Sequence, residues 1–242
     1  MRRLLTRGLA AVLTLGSVTA LGAEETRKGQ GGFGFQTVTV AGFNVRLSPT
    51  VLSDPEVRDR IMWRLKEQLS EATRVLPAAH RELLRSVPIW VDPAPLAEVS
   101  SFLPAAQYFP MHVANRLNVR SRHQAGAIVL PYAETFIRSH GQGNVMLHEL
   151  AHAYDDRMLR FKDPSVGAAF GAARQRGLYA QVASSTGLSY EAYANTGQPE
   201  YFAELTVAYF AGRSDTPRNR QELRTFDPQG YRAVERAWGP GR

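Results

Sequence analysis

His148-Glu149-Leu150-Ala151-His152 is the stretch that decides how this chain is read. Two helix positions four apart differ by about 40° around the axis, so both imidazoles leave one face a turn apart. At that spacing two neutral ring nitrogens can reach a single zinc ion at about 2.0–2.1 Å each. Glu149, next to the first histidine, can then accept a proton from a zinc-bound water. A solvated helix can carry His and Glu idly, so the flanks matter. Val145, Met146 and Leu147 precede the motif, and Ala151, Ala153 and Tyr154 run through and past it. That pattern describes a half-buried helix. Gly141 and Gly143 lead to Asn144, a good N-cap, and the helix is expected to run to about Leu159, before Lys162-Asp163-Pro164.

A catalytic zinc usually takes three protein ligands and leaves a fourth position for water. The chain has no cysteine. A thiol nucleophile, a Cys-rich zinc site and any disulfide are therefore excluded. His80, His112, His123 and His140 lie upstream in unrelated contexts and read as surface or packing residues. A carboxylate must serve, and the downstream candidates are Asp155, Asp156, Asp163, Glu191, Glu200, Glu204 and Asp215. Pro199-Glu200-Tyr201-Phe202-Ala203-Glu204 is the informative segment. Two acids four apart share a helix face amid Tyr201, Phe202, Leu205 and Val207, which favours a buried cationic partner over an exposed acidic stripe. The first acid can ligate a metal, while the second hydrogen-bonds a ligating imidazole and fixes its tautomer. Tyr193, in the loop before that helix, could approach the metal and donate to a developing oxyanion. Taken alone, a tyrosine in Ala-Tyr-Ala is more often packing.

These two segments, His148 to Asp156 and Tyr193 to Glu204, resemble the catalytic domain of anthrax lethal factor and the small secreted Pro-Pro endopeptidases of the same zinc peptidase group. The resemblance covers about residues 144 to 210. It implies one zinc ion on His148, His152 and Glu200, with Glu149 as general base, Tyr193 as oxyanion donor and Glu204 behind a ligating histidine. It also implies a single zincin-like domain and a peptide or protein substrate. Any preference for proline is not carried over, because the Ala/Gly/Ser-rich interval between His152 and Glu200 does not align.

Outward from this centre the chain reads as one α+β domain: a small mixed sheet with an N-terminal helix, then a mostly helical half bearing the two site helices. Residues 1 to 22 have the parts of a secretory signal: Arg2, Arg3 and Arg7, an apolar run from Leu9 to Leu15, and Ala20-Leu21-Gly22 at a cleavage site. The run is too short to span a bilayer comfortably, so a membrane anchor is not expected. Residues 23 to 35 form a polar, Gly-rich lead-in, too short for a folded inhibitory pro-domain, and the peptidase domain occupies 36 to 242. The formal net charge of +7 falls to about +4 once the three leader arginines are set aside. With no Lys/Arg cluster, a nucleic-acid role gets little support.

Phe35 to Leu47 alternates as two strands split by Ala41-Gly42, and Ser53-Asp54-Pro55-Glu56 reads as a capping box opening a helix. Val57, Ile61, Leu65, Leu69, Ala72 and Leu76 mark its apolar face down to Pro77. A short helix near Ala79 to Leu84 precedes a strand at Val87 to Val91; Asp92 to Pro110 reads as a Pro-rich loop. Gly126 to Leu130 is an apolar strand, placed by chain order at the sheet edge lining a cleft. One helix to Arg176, a loop or short hairpin around Tyr179 to Tyr190, a helix from Pro199 to Phe210 and a final one at Tyr231 to Trp238 complete the chain. The expectation is a secreted or periplasmic monomeric metalloendopeptidase. Two alternatives stand beside it: an exported non-enzymatic binding module with a structural zinc, and a di-iron carboxylate protein, which would need a second Glu-x-x-His motif that the chain lacks.

Overall fold

The computed structural model describes residues 34–93, 104–112, 124–139, 143–183, 189–213 and 215–239. The leader, nearly all of the lead-in, His123 and His140 lie outside the described residues. The architecture is mixed α+β, with a small mixed sheet towards the N-terminus and a mostly helical C-terminal half.

The chain opens with β1 (Gln36–Val40) and β2 (Phe43–Leu47), an antiparallel hairpin in which Val40 faces Phe43. The two-residue connection needs positive φ at both positions, which Ala41 (50°) tolerates and Gly42 (85°) adopts freely. A short turn, α1 (Pro49–Leu52), leads to α2 (Pro55–Val75). Asp54, not Ser53, caps α2, its carboxylate accepting from Val57 N–H, so the expected Ser53–Glu56 box is absent. The expected stripe is real: Ile61, Leu65, Leu69, Ala72 and Leu76 are fully buried. Each such aliphatic side chain contributes about 1.5–3 kcal/mol on burial. Next come α3 (Ala78–Arg85) and β3 (Ile89–Val91).

Two further strands, β4 (Gln107–Phe109) and β5 (Ala127–Leu130), complete a five-stranded sheet of order β1-β2-β3-β5-β4 among the described residues. β2, β3 and β5 run parallel, while β4 is antiparallel to β5. This corrects the order-based placement. The strand at Gly126 to Leu130 is interior, with all four residues of β5 buried, and the edge beyond it is β4, inside the stretch read as a loop. A continuous apolar run such as Ala127-Ile128-Val129-Leu130 is what a strand covered on both faces requires.

After α4 (Ala133–Arg138), α5 (Val145–Tyr154) carries the two motif histidines and continues as a π-helical turn over Asp155–Leu159. Left-handed Arg160 and Phe161 end it, with Phe161 N–H donating to the Asp155 carbonyl. The helical half then adds α6 (Pro164–Gln175), a hairpin of β6 (Val182–Ala183) and β7 (Ser189–Tyr190), α7 (Gln198–Phe210), α8 (Arg220–Phe226) and α9 (Pro228–Trp238). α1, α4 and α8 are too short, at 4, 6 and 7 residues, to show a helical period in sequence.

Three fastenings hold α5 and α7. Asn144 caps α5 by accepting from Leu147 N–H and donates its amide to the Gln68 carbonyl; Gln68 Oε1 accepts from Met146 N–H. Buried Gln68 thus completes the cap from α2. At the other end of α5, Tyr154 stacks on Trp238 at 3.9 Å and donates to the Ala237 carbonyl. Behind α7, buried Asp227 accepts from the phenols of Tyr201 and Tyr179 while capping α9 through Gly230 N–H. Among the described residues no helix is long and apolar enough to cross a membrane.

Two substitutions test this frame. A Cβ at Gly230 would collide with the Tyr201 hydroxyl, Leu205 and the Asp227 carboxylate. Helix propensity alone favours Gly230→Ala by about 1 kcal/mol, whereas overpacking predicts a net loss of about 1–3 kcal/mol, read by urea denaturation; stabilisation would contradict the packing. Asp163 caps α6 through Ser165 and Val166 N–H. Burial raises its pKa, but the hydrogen bond from the Ser165 hydroxyl, with those from the two N–H groups, outweighs burial and holds the carboxyl below 3.8. A depressed folded value means stability present above pH 3.8 and lost as pH falls through the folded value. Asp163→Ala should therefore cost about 1 kcal/mol at pH 7, with the difference shrinking below pH 3.8 in parallel denaturation curves.

Candidate metal centre

α5 and α7 pack face to face, and the side chains they turn towards one another converge on one point. His148 and His152 leave α5 one turn apart with their Nε2 atoms 3.1 Å apart. Glu200, in the first turn of α7, brings Oε2 to 3.1 Å from each of them. The three edges of this triangle cannot all be hydrogen bonds. If each imidazole donates once to Glu200, the nitrogen–nitrogen edge sets two donors against each other. Three lone pairs aimed at a shared centre meet the requirement of a cation instead, and His148, His152 and Glu200 could hold a metal ion. Among the described residues no further His, Asp or Glu joins this group.

Behind the triangle runs a chain of opposite charges. His148 Nδ1 lies 3.0 Å from Glu204 Oε1, one turn along α7 from Glu200. Glu204 in turn pairs with Arg213, whose other side lies 3.9 Å from Asp215. These groups are nearly buried: side-chain exposure is 12% for His148, 13% for Glu204 and 10% for Arg213. Burial acts to lower the His148 pKa, yet Glu200 and Glu204 outweigh it and push the ring up to about 10. For Glu204 burial raises the pKa, and His148 and Arg213 together hold the carboxyl below its ordinary range. Glu200 is likewise held low, its two histidines overcoming burial. In its neutral form an imidazole whose Nδ1–H is taken by Glu204 presents the lone pair of Nε2, the atom in the triangle.

Glu149 points from α5 towards the sheet, where its Oε2 accepts from the Tyr108 N–H of β4 at 2.6 Å. Tyr193 begins a 3-10 turn over Tyr193–Asn195, just before α7, with its ring stacked on His148 at 6.1 Å between centroids. Its side chain is half exposed, and burial, followed by the carboxylates of Glu200 and Glu149, pushes the phenol up to about 12. It is therefore a neutral donor at physiological pH. Together these residues line an open cleft of about 940 Å³, with β4 on one side and Tyr190, Tyr193 and Pro199 on the other.

The remaining acidic candidates stand elsewhere. Asp163 caps α6, Glu191 accepts from Asn195, and Asp156 accepts from β4. Asp155 is 1% exposed with neither carboxylate oxygen hydrogen-bonded, and burial, opposed by the nearby His152, pushes it up to about 7. His80 packs against Tyr154 and Trp238, whereas His112 reaches the cleft beside Phe161. Arg213 and Tyr108 carried no sequence signal: one follows α7 in an irregular stretch, and the other acts largely through its backbone.

No family model, curated protein or solved structure matches this chain.

If Glu204 holds the His148 ring in place, Glu204→Ala should weaken affinity for added zinc about 10–100-fold in a chelator-competition titration. Arg213→Met should weaken it in the same direction. A loss no larger than that from the exposed Glu56→Ala would remove this role.

Proposed function

We propose that this protein is an exported, zinc-dependent metalloendopeptidase of the kind its motifs resemble, the lethal factor and Pro-Pro endopeptidase group. The observation that carries the reading is the triangle of His148, His152 and Glu200 donor atoms opening on a cleft with Glu149 beside it. Its edges of 3.1 Å are close to the roughly 3.3 Å edge of a tetrahedron with bonds of about 2.0 Å. Two imidazoles and one carboxylate are also the donor set that suits a zinc left with an open coordination position. A structural ion in a binding module would instead call for a closed set of four protein ligands.

When bound, such an ion supplies a Lewis acid that acidifies a water and polarises a carbonyl. The chain's own groups do the rest. Glu149 takes the proton of the attacking water and returns it to the leaving amine. Tyr193, kept protonated, donates its phenol hydrogen to the oxyanion that forms at the scissile carbonyl. Glu204, braced by Arg213, keeps the His148 ring turned so that Nε2 faces the metal. The substrate is an extended peptide or protein segment, and the protein acts as a secreted or periplasmic monomer after its leader is removed.

The test is cleavage of a peptide library by zinc-loaded protein with and without a chelator, with cut sites read by mass spectrometry. Glu149→Gln should keep zinc at wild-type stoichiometry while kcat falls at least about 10³-fold. Comparable turnover in that variant would remove the base assignment, and no cleavage of any peptide by the zinc-loaded wild type would remove the peptidase reading.

A further inference from the structure

The edge strand facing the cleft is hydrogen-bonded to the helix that carries His148 and His152, and Tyr108 makes two of those bonds. β4 spans three residues and, among the described residues, is paired within the sheet to β5 alone. So short a strand with one neighbour has little intrinsic stability. Its central residue, Tyr108, is nevertheless 5% exposed and bonded at both ends. Its N–H donates to Glu149 Oε2 at 2.6 Å, and its hydroxyl donates to Asp156 Oδ2 at 2.9 Å. The same Asp156 oxygen accepts from Met111 N–H at 3.0 Å, just beyond the strand. Glu149 and Asp156 are seven residues apart, close to two turns along the continuous helix. One face of one helix thus offers two carboxylates to one strand residue. Arg157, next in the π-helical turn, donates to the Gly126 carbonyl at 3.0 Å and to Ser86 Oγ at 2.8 Å, fixing the start of β5.

We propose that Asp156 is a positioning residue that sets where the outer edge of β4 stands relative to Glu149, and so where an extended peptide lies in the cleft. The inference rests on the peptidase reading. A strand edge beside a cleft, with no second strand neighbour among the described residues, is a template for an extended peptide, which gains main-chain hydrogen bonds by adding as a further strand. That template is useful only at a fixed distance from the reacting groups, because a displacement of about 1 Å already costs catalysis heavily. Burial, and next to it Asp156, hold the Tyr108 phenol well above its usual range, so it remains a donor across the working pH range. Asp156 belongs to the helix of His148 and His152, so the strand and the metal ligands are referred to one rigid body.

The experiment compares zinc-loaded wild type, Asp156→Ala and Asp156→Asn. Amide hydrogen exchange is followed over residues 104–112, and steady-state kinetics use a peptide that the wild type cleaves. In Asp156→Ala exchange over 104–112 should quicken about 10-fold or more, the effect of losing two hydrogen bonds to a carboxylate. KM should rise about 10-fold while kcat changes less than about threefold, as expected for lost ground-state positioning. Zinc content and exchange over 145–154 should match the wild type. Asp156→Asn, whose amide oxygen can accept both bonds, should restore both readouts to within about twofold.

Wild-type exchange over 104–112 in the alanine variant would overturn the proposal. So would an asparagine variant as impaired as alanine, or loss of protection spreading into 145–154, which marks a general stability role. Failure of the wild type to cut any peptide would remove the peptidase reading instead, and the exchange comparison would still decide whether Asp156 holds the strand.

Discussion

Two imidazoles on one helix and a carboxylate on another can meet at a point only if the helices are held in fixed register, and the rest of the structure serves that requirement. Metal–ligand bonds tolerate about 0.2 Å, far less than the slack of two helices packed by apolar contacts alone. α5 is therefore fastened at both ends, by Gln68 of α2 at its start and by the Tyr154–Trp238 stack at its close. α7 is fixed from behind by Tyr201, whose hydroxyl ends on the Asp227 carboxylate that also caps α9. Directional hydrogen bonds at these points specify position, while the apolar cluster around Leu147, Leu150, Phe202 and Leu205 supplies most of the stabilisation.

The electrostatics follow from the same convergence. Bringing Glu200 and Glu204 to one helix face beside two histidines concentrates charge in a nearly buried place, where an unpaired carboxylate costs several kcal/mol. Arg213 offsets this, pairing with Glu204 and so leaving Glu200 free to face the histidines. The arrangement separates two tasks. One carboxylate is turned to the shared centre, and the other to the back of an imidazole, where it fixes a tautomer. A hydrophobic α7 with a single acid could not do both.

The sheet's contribution is its edge. β5 is shielded on both sides by β3 and β4, so it can supply only core, whereas β4 has one strand neighbour among the described residues and turns its Tyr108 N–H to Glu149. Placing the edge by chain order fails because strand order in a mixed sheet does not follow sequence order: β4 precedes β5 in the chain yet lies outside it. Three residues, Gln107, Tyr108 and Phe109, within a Pro-rich stretch cannot display a strand period.

What the sequence determined by itself is whatever depends on neighbours along the chain. The β1–β2 hairpin, the buried stripe of α2, the cap at Asn144 and the His148/His152 and Glu200/Glu204 pairs are all properties of short-range spacing, and each is present where spacing places it. The α+β class follows from the order of those elements. What only the tertiary structure decided is what joins distant segments: Gln68 completing the cap of α5, Arg213 pairing with Glu204, Asp227 gathering two tyrosines, and Tyr108 spanning Glu149 and Asp156. These contacts have no period and no fixed separation. Their partners are chosen by how helices and strands pack, and packing is set by the whole apolar surface at once rather than by any window of sequence.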